Sequence, residues 1–409
     1  MVDVSSVESA SEVSINSRFM KVLYDHQIFS LQSFGGISRY FYKIMTGLEK
    51  NFRVDVKHSV LYSSNEYLKD RNLFPLKKEY SYQDWFPSIR FRGMHRIFRL
   101  LQRSGLLPDP QREMVSLIKK EIANEDFDLF HPTYYSPYFL KDLSYRRKPY
   151  ILTVYDLIHE KFPDYFPDAQ EIIESKRIVI EKADSIIAIS HNTKVDLLKY
   201  YNISESKIQV IHLGTSFISG SSNVPKPDLL KKNYLLFTGN RSYYKNFSFF
   251  LRSIKSIFQE FPEIQLYCVG GGAFNKEEMQ LIRELGLSER VVHFRFENDE
   301  ELAEYYRNAL LFVFPSRYEG FGIPLLEAFS CECPVACSNT SSFPEVAGDA
   351  AFYFDPDRSD SIYTALRTAV MEPERRQEMV RNGKAQLAKF SWEKATKQTY
   401  ELYQSIINN

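Results

Sequence analysis

No apolar run in this sequence approaches the ~20 residues that a membrane-spanning helix requires. Net charge is absent too. The 52 Lys and Arg are matched by 52 Asp and Glu, so no global field argues for a nucleic-acid partner. Cysteine is scarce, at four residues in 409, which argues against a disulfide framework in a core of this size. Cys268 stands alone, whereas Cys331, Cys333 and Cys337 cluster at a predicted helix-to-strand turn. Zinc ligation and simple packing behind the helix are the two readings. The spacing is not a standard ligand spacing and no histidine lies near, which favours packing. Residues 1–18 are rich in Ser, Glu and Val, with no basic or apolar stretch of the signal-peptide kind. They are expected to form a loose tail, and the chain is expected to be cytoplasmic.

What the chain does have is size, aromatics and a strict rhythm. Its 409 residues, 44% apolar and with 27 Tyr and 32 Phe, are enough for two or three domains. Strand-like and helix-like segments alternate almost throughout, which predicts an α/β architecture with parallel sheets. Strands are expected near Phe19–Tyr24, Val54–Ser59, Leu129–His131, Ile151–Val154, Ser185–Ile189 and Ile208–Ile211. A second set is expected near Tyr234–Phe237, Gln265–Val269, Val291–Phe294, Leu310–Phe314, Val335–Ser338 and Ala351–Phe354. Lys245–Phe258, Lys276–Leu285 and Asp299–Asn308 carry helical patterns. Between Gly214 and Asn233 the rhythm breaks into Gly, Ser, Asn and Pro. This predicts a linker over 216–232 between two Rossmann-like domains, 19–215 and 233–390.

The densest chemistry lies in Glu319-Gly-Phe-Gly-Ile-Pro-Leu-Leu-Glu327. An apolar run, Leu310–Pro315, precedes it and reads as a buried parallel strand. Gly320 and Gly322 permit a tight turn and close approach of a ligand. Pro324 suits the first turn of a helix. Strand, turn and helix N-terminus together form an anion site. Glu319 at its mouth and Glu327 one turn inside are natural acceptors for sugar or ribose hydroxyls. The whole block, with Ala328-Phe-Ser-Cys-Glu-Cys-Pro-Val335 behind it, resembles the signature of retaining nucleotide-sugar glycosyltransferases of the GT-B fold, in particular glycosyltransferase family four.

That resemblance implies two Rossmann-like domains facing a cleft, with a final helix (here 391–409) crossing back to the first domain. It implies donor contacts at Phe321, Gly322, Ile323 and Glu327. It further implies that Gly35-Gly36, at a predicted strand-to-helix turn, lie over the donor, and that Gly271 in Gly270-Gly-Gly272 lies near the nucleotide. Val292–Phe296 is expected to pass a guanine, uracil or adenine base. Arg241 and Lys245 look like the family's basic pair that neutralises the donor diphosphate, although here the two stand closer together than is usual. Many relatives place a histidine directly before Asp156, where this chain has Tyr155. Either Asp156 and His159 share the polar work near the reacting carbon, or Tyr155 donates a hydrogen bond itself. Ser190 and Asn192 are expected to line the cleft, and the segment His131-Pro-Thr-Tyr-Tyr135, which closes another strand, to face the acceptor.

The expected reaction moves a hexose from a GDP- or UDP-linked donor to a sugar or lipid-linked acceptor with no cofactor, mannose being one candidate. An epimerase or a non-catalytic nucleotide-sugar binder on the same fold is the alternative. No metal is expected. Asp126-x-Asp128 and Asp355-x-Asp357 read as turn chemistry rather than cation ligands. Residues 88–108 carry Arg90, Arg92, Arg96, Arg99 and Arg103 with no acidic residue between Ser88 and Leu107. At helical spacing Arg92, Arg96, Arg99 and Arg103 fall opposite Met94, Ile97, Phe98 and Leu101. The two readings are an ordinary surface helix and one that lies on an anionic membrane.

Overall fold

The computed structural model describes residues 19–69, 74–77, 94–145, 147–215 and 233–408. Among these, twelve strands form, all pairing in parallel. The first half holds β1 (Met20–Tyr24), β2 (Val54–His58), β3 (Leu129–His131), β4 (Ile151–Val154), β5 (Ser185–Ala188) and β6 (Ile208–Val210). They make two three-stranded sheets, β2-β1-β3 and β4-β5-β6. The sheets meet at a single parallel bridge between Phe130 and Tyr150.

The second half holds β7 (Tyr234–Thr238), β8 (Gln265–Val269), β9 (Val291–Phe294), β10 (Leu311–Phe314), β11 (Val335–Ser338) and β12 (Ala351–Phe354). Their order is β12-β11-β10-β7-β8-β9. Numbered within this half the order reads 6-5-4-1-2-3, the dinucleotide-binding arrangement whose switch point lies between β7 and β10. Strand ends at such a point diverge and leave a crevice. Nearly every residue of β4, β5, β10 and β11 is fully buried, as expected for strands covered on both faces.

Helix Gly36–Asn51 follows β1 and covers the first sheet, burying Tyr40, Phe41, Ile44, Met45 and Leu48. Helix Trp392–Ile407 packs against it. Tyr403 of this last helix is fully buried. Its hydroxyl lies 2.8 Å from that of Tyr24 and 2.5 Å from His131 Nδ1. Phe52 and Tyr400 stack at 4.5 Å.

Some local expectations are corrected. The helical pattern Lys245–Phe258 resolves into a 3-10 turn, Tyr243–Lys245, and two short helices, Phe247–Ser253 and Lys255–Glu260. Asn246 enters the left-handed region at φ 61°, which Asn tolerates. The turn therefore stops there. In helix Met94–Arg103 the apolar residues divide. Met94 and Phe98 are buried, while Ile97 and Leu100 are 44% and 61% exposed, beside the exposed Arg96 and Arg99. Cys331, Cys333 and Cys337 are buried free thiols. Burial pushes the Cys331 thiol up to about 12. Asp355 caps its own turn by accepting the Asp357 N–H. The expected tail 1–18, the linker 216–232, and Arg90 and Arg92 lie outside the described residues.

Candidate active site at the interdomain cleft

β10 delivers the turn Glu319–Gly322 to the switch point, and helix Ile323–Ser330 starts from it. Gly322 caps that helix at φ 97°, a conformation that a side chain resists. Pro324 occupies the first helical turn. Ser341 and Ser342 hold the turn from below, both donating to the Glu319 carbonyl, at 2.6 and 2.9 Å. The result is a fixed carboxylate at position 319 and an open helix N-terminus beside it.

The neighbouring loop after β7 brings Lys245 to the same place. Its ammonium lies 2.6 Å from Glu319 Oε1, with both side chains about 15% exposed. Both line a cavity of about 680 Å³ between the two halves of the chain. Gly35, Gly36, Tyr155 and Asp156 reach it from the first half; Gly271, Phe321, Gly322, Ile323 and Glu327 reach it from the second. Most of the residues singled out from the sequence thus line one crevice.

Arg241 and His159 do not. The Arg241 guanidinium donates to the carbonyls of Gly270, Gly272 and Ala273 and to Glu278 Oε1. Phe274 covers it at 4.9 Å. Its donors are taken up behind the glycine turn, and it opens on a different cavity. That turn needs the help, since Gly270, Gly271 and Gly272 are all left-handed. A Cβ at Gly271 would also strike the Gly239 carbonyl. The His159 ring packs on Phe166 at 4.5 Å, away from the cleft. Burial lowers its basicity, and its Nδ1 has no partner among the described residues.

The open choice among Tyr155, Asp156 and His159 narrows as well. The Tyr155 hydroxyl is buried without a partner among the described residues, and its ring sits with those of Tyr40, Phe41 and Tyr135. Of the three, Asp156 is the part-exposed carboxylate on the cavity wall. His131 is likewise internal, bonded to Tyr403 and Thr153 Oγ1. Burial holds its imidazole down at about 3, hence neutral. It fastens the last helix rather than facing an acceptor.

The two halves grip each other around the Glu319 turn. The Gly320 carbonyl accepts from Ser190 Oγ at 2.6 Å and Thr193 Oγ1 at 3.3 Å. Ser190 and Asn192 therefore serve the interface. Tyr318 Oη accepts from the Leu157 N–H and donates to Asp196. Glu345 accepts from the N–H groups of His191 and Asn192, capping helix His191–Tyr200 from across the interface, and lies 2.6 Å from His212 Nε2. Burial raises the Glu345 carboxyl, but these donors outweigh it and hold it below its ordinary value. Tyr165 and Tyr243 stack across the cleft at 5.0 Å.

Among the residues at this site that escaped the sequence reading, Arg39 stands out. Arg39, three residues into helix Gly36–Asn51, crosses the cleft to Glu327 and Asp299. Only its place on the buried face of an amphipathic helix could have signalled it.

Residues 34–216 match the family described as Glycosyltransferase Family 4, and residues 223–386 match Glycosyl transferases group 1. The chain belongs to glycosyltransferase family 4. Similar curated proteins include the Escherichia coli O-antigen chain mannosyltransferase B, 28% identical over 329 residues, covering 76% of this chain and 83% of that protein. The Salmonella typhimurium O-antigen chain mannosyltransferase RfbU is 27% identical, over 54% of this chain and 61% of its own length. Among solved structures, sucrose-phosphate synthase from Thermosynechococcus elongatus superimposes with a TM-score of 0.69 at 18% identity, covering 95% of this chain and 99% of that one. Anabaena Alr3699/HepE, in complex with UDP and glucose, gives 0.69 at 18%, over 94% and 100%. The glycosyltransferase therefore has the GT-B fold, with parallel-sheet Rossmann-like domains about a central cleft.

Proposed function

We propose that this glycosyltransferase moves a hexose from a nucleoside diphosphate sugar to an acceptor hydroxyl with retention of configuration and without a metal. One observation carries the reading: the Lys245 ammonium and the Glu319 carboxylate meet beside the open helix N-terminus at Gly322, in a cavity that also receives Glu327. Lys245 and the helix N–H groups face the departing diphosphate and stabilise its charge as the bond to the anomeric carbon breaks. Glu319 holds donor hydroxyls, and Glu327 holds the ribose. The acceptor oxygen bonds to the anomeric carbon on the face the diphosphate leaves, and its proton passes to a phosphate oxygen. Arg241 supports the glycine turn from behind. The two domains divide at 216–232 and close over the donor, excluding water.

The named O-antigen mannosyltransferases favour mannose as the sugar and a bacterial polysaccharide as the product. The UDP complex of the structural neighbour keeps UDP beside GDP as the carrier. A thermal-shift series with GDP-mannose, UDP-glucose and free nucleotides tests the donor, because a bound donor raises the melting temperature by mass action. Transfer with the best donor is expected to survive EDTA. Abolition by chelation with rescue by manganese contradicts the reading, as does conversion of the donor when no acceptor is present.

The proposal extends to the acceptor: a lipid-linked one, met at the cytoplasmic face of a membrane. Among the described residues no helix is long and apolar enough to cross a membrane. Helix Met94–Arg103 instead exposes Ile97 and Leu100 beside Arg96 and Arg99. Apolar side chains can enter the headgroup region while each arginine near an anionic surface contributes about 1 kcal/mol. Salt-sensitive binding to anionic vesicles is expected, and weaker binding when Arg96, Arg99 and Arg103 become glutamate. Equal sedimentation of wild type and triple variant with vesicles speaks for a soluble acceptor.

A further inference from the structure

Arg39 belongs to the N-terminal domain, yet its guanidinium is spent on the other one. Nη1 donates to Glu327 Oε1 at 3.3 Å, and Nη2 to both oxygens of Asp299 at 3.1 and 3.2 Å. Nε donates to Tyr67 Oη at 2.7 Å. The rings of Phe34 and Tyr67 lie 5.6 and 5.5 Å from the guanidinium carbon. The side chain is 6% exposed. A buried cation thus sits between two carboxylates of the donor domain, on the wall of the cleft.

We infer that Arg39 is a positioning residue for the donor nucleotide, holding the Glu327 carboxylate in aim only when the two domains are closed. This rests on the reading of Glu327 as the ribose acceptor. A carboxylate offers about four lone-pair sites. Arg39 and Tyr306 take one each, which leaves room for a ribose diol. Without Arg39, Glu327 and Asp299 would lose the guanidinium that lies between them.

Charge reinforces the geometry. Burial pushes the Glu327 carboxyl above its ordinary value, against the pull of Arg39 and with the push of Asp299. The other groups facing it are Tyr306, Tyr67 and Cys331. Burial raises all three, so they stay protonated near neutral pH. Removing the guanidinium leaves the Tyr306 hydroxyl alone to oppose burial. The carboxyl then takes up a proton at higher pH and loses acceptor capacity. Donor binding in such a variant must improve as pH rises.

The test is calorimetric binding of GDP-mannose and UDP-glucose, neither of which titrates between pH 6 and 8. Arg39→Gln should weaken binding by about 10- to 100-fold, the range for one lost charge-assisted hydrogen bond. The loss should be greater at pH 6 than at pH 8. Arg39→Lys should recover part of the affinity and of the wild-type pH profile. Glu327→Gln should weaken binding at every pH, and adding Arg39→Gln to it should cost little more. Additive losses in the double variant, or a flat profile in Arg39→Gln, overturn the inference. Wild-type binding by Glu327→Gln overturns the ribose reading instead, and failure of wild type to bind either donor overturns the proposed function. Should Arg39→Gln not fold, Arg39→Lys with Glu327→Gln gives the same cycle.

Discussion

Lys245→Ala and Glu319→Ala are each expected to lower turnover by about 100- to 1,000-fold, a loss of about 3 kcal/mol or more of transition-state stabilisation. The two side chains form one ion pair at the cleft, so removing either also frees its partner. The effects should therefore not add, and the double variant should be little worse than the single ones. Far-UV dichroism should stay unchanged, because neither side chain belongs to the core clusters. The two losses should differ in kind. Lys245→Ala removes a charge that matters most as the diphosphate departs, so kcat falls. Glu319→Ala also removes a grip on the donor sugar, so the Michaelis constant for the donor rises as well. Near-normal turnover in both variants would dismantle the proposed site.

Gly320→Ala should be as damaging without touching any reactive group. The Gly320 backbone is not among the left-handed positions, so alanine suits its conformation. The obstacle is the other domain. An added Cβ would fall far inside van der Waals contact of the Tyr155 carbonyl oxygen, and 3.2 Å from Asp156 Cβ. Backbone cannot swing aside as a flexible side chain can, so the domains must part or the turn must shift. Either movement displaces Glu319 and Phe321, the neighbours of Gly320. A displacement of about 1 Å can cost about 100-fold in rate. Turnover should fall by at least that factor, and small-angle scattering should report a larger radius of gyration. Wild-type turnover with wild-type scattering would show that the observed closure is not the working state.

The sequence announced the sheets well, for a physical reason. Strands buried on both faces appear as short apolar runs, and β4, β5, β10 and β11 are of this type. The turn at Glu319–Gly322 was legible because its glycines and proline answer local backbone demands. The side chains of Arg241, His159 and His131 turn to partners inside the protein, although each stands where a polar ligand contact is plausible. What a side chain bonds to depends on partners remote in the chain. Arg39 is the extreme case. Its partners Asp299 and Glu327 lie 260 and 288 positions away, and no local pattern encodes that meeting. For the helix Met94–Arg103 the period was legible and the facing was left open, because spacing fixes which residues share a side but not which side the neighbours cover.

The return of helix Trp392–Ile407 to the first domain has a consequence for biosynthesis. Helix Gly36–Asn51, Tyr24 and His131 are synthesised well before the helix that covers them. At about 5 to 20 residues per second, the interval between residue 215 and residue 407 is on the order of 10 to 40 s. Throughout it the first domain carries an uncovered aromatic face, with the hydroxyl of Tyr24 and the imidazole of His131 still waiting for Tyr403. A ribosome that stalls or terminates within the second domain releases a protein whose first domain is already synthesised and still unfinished.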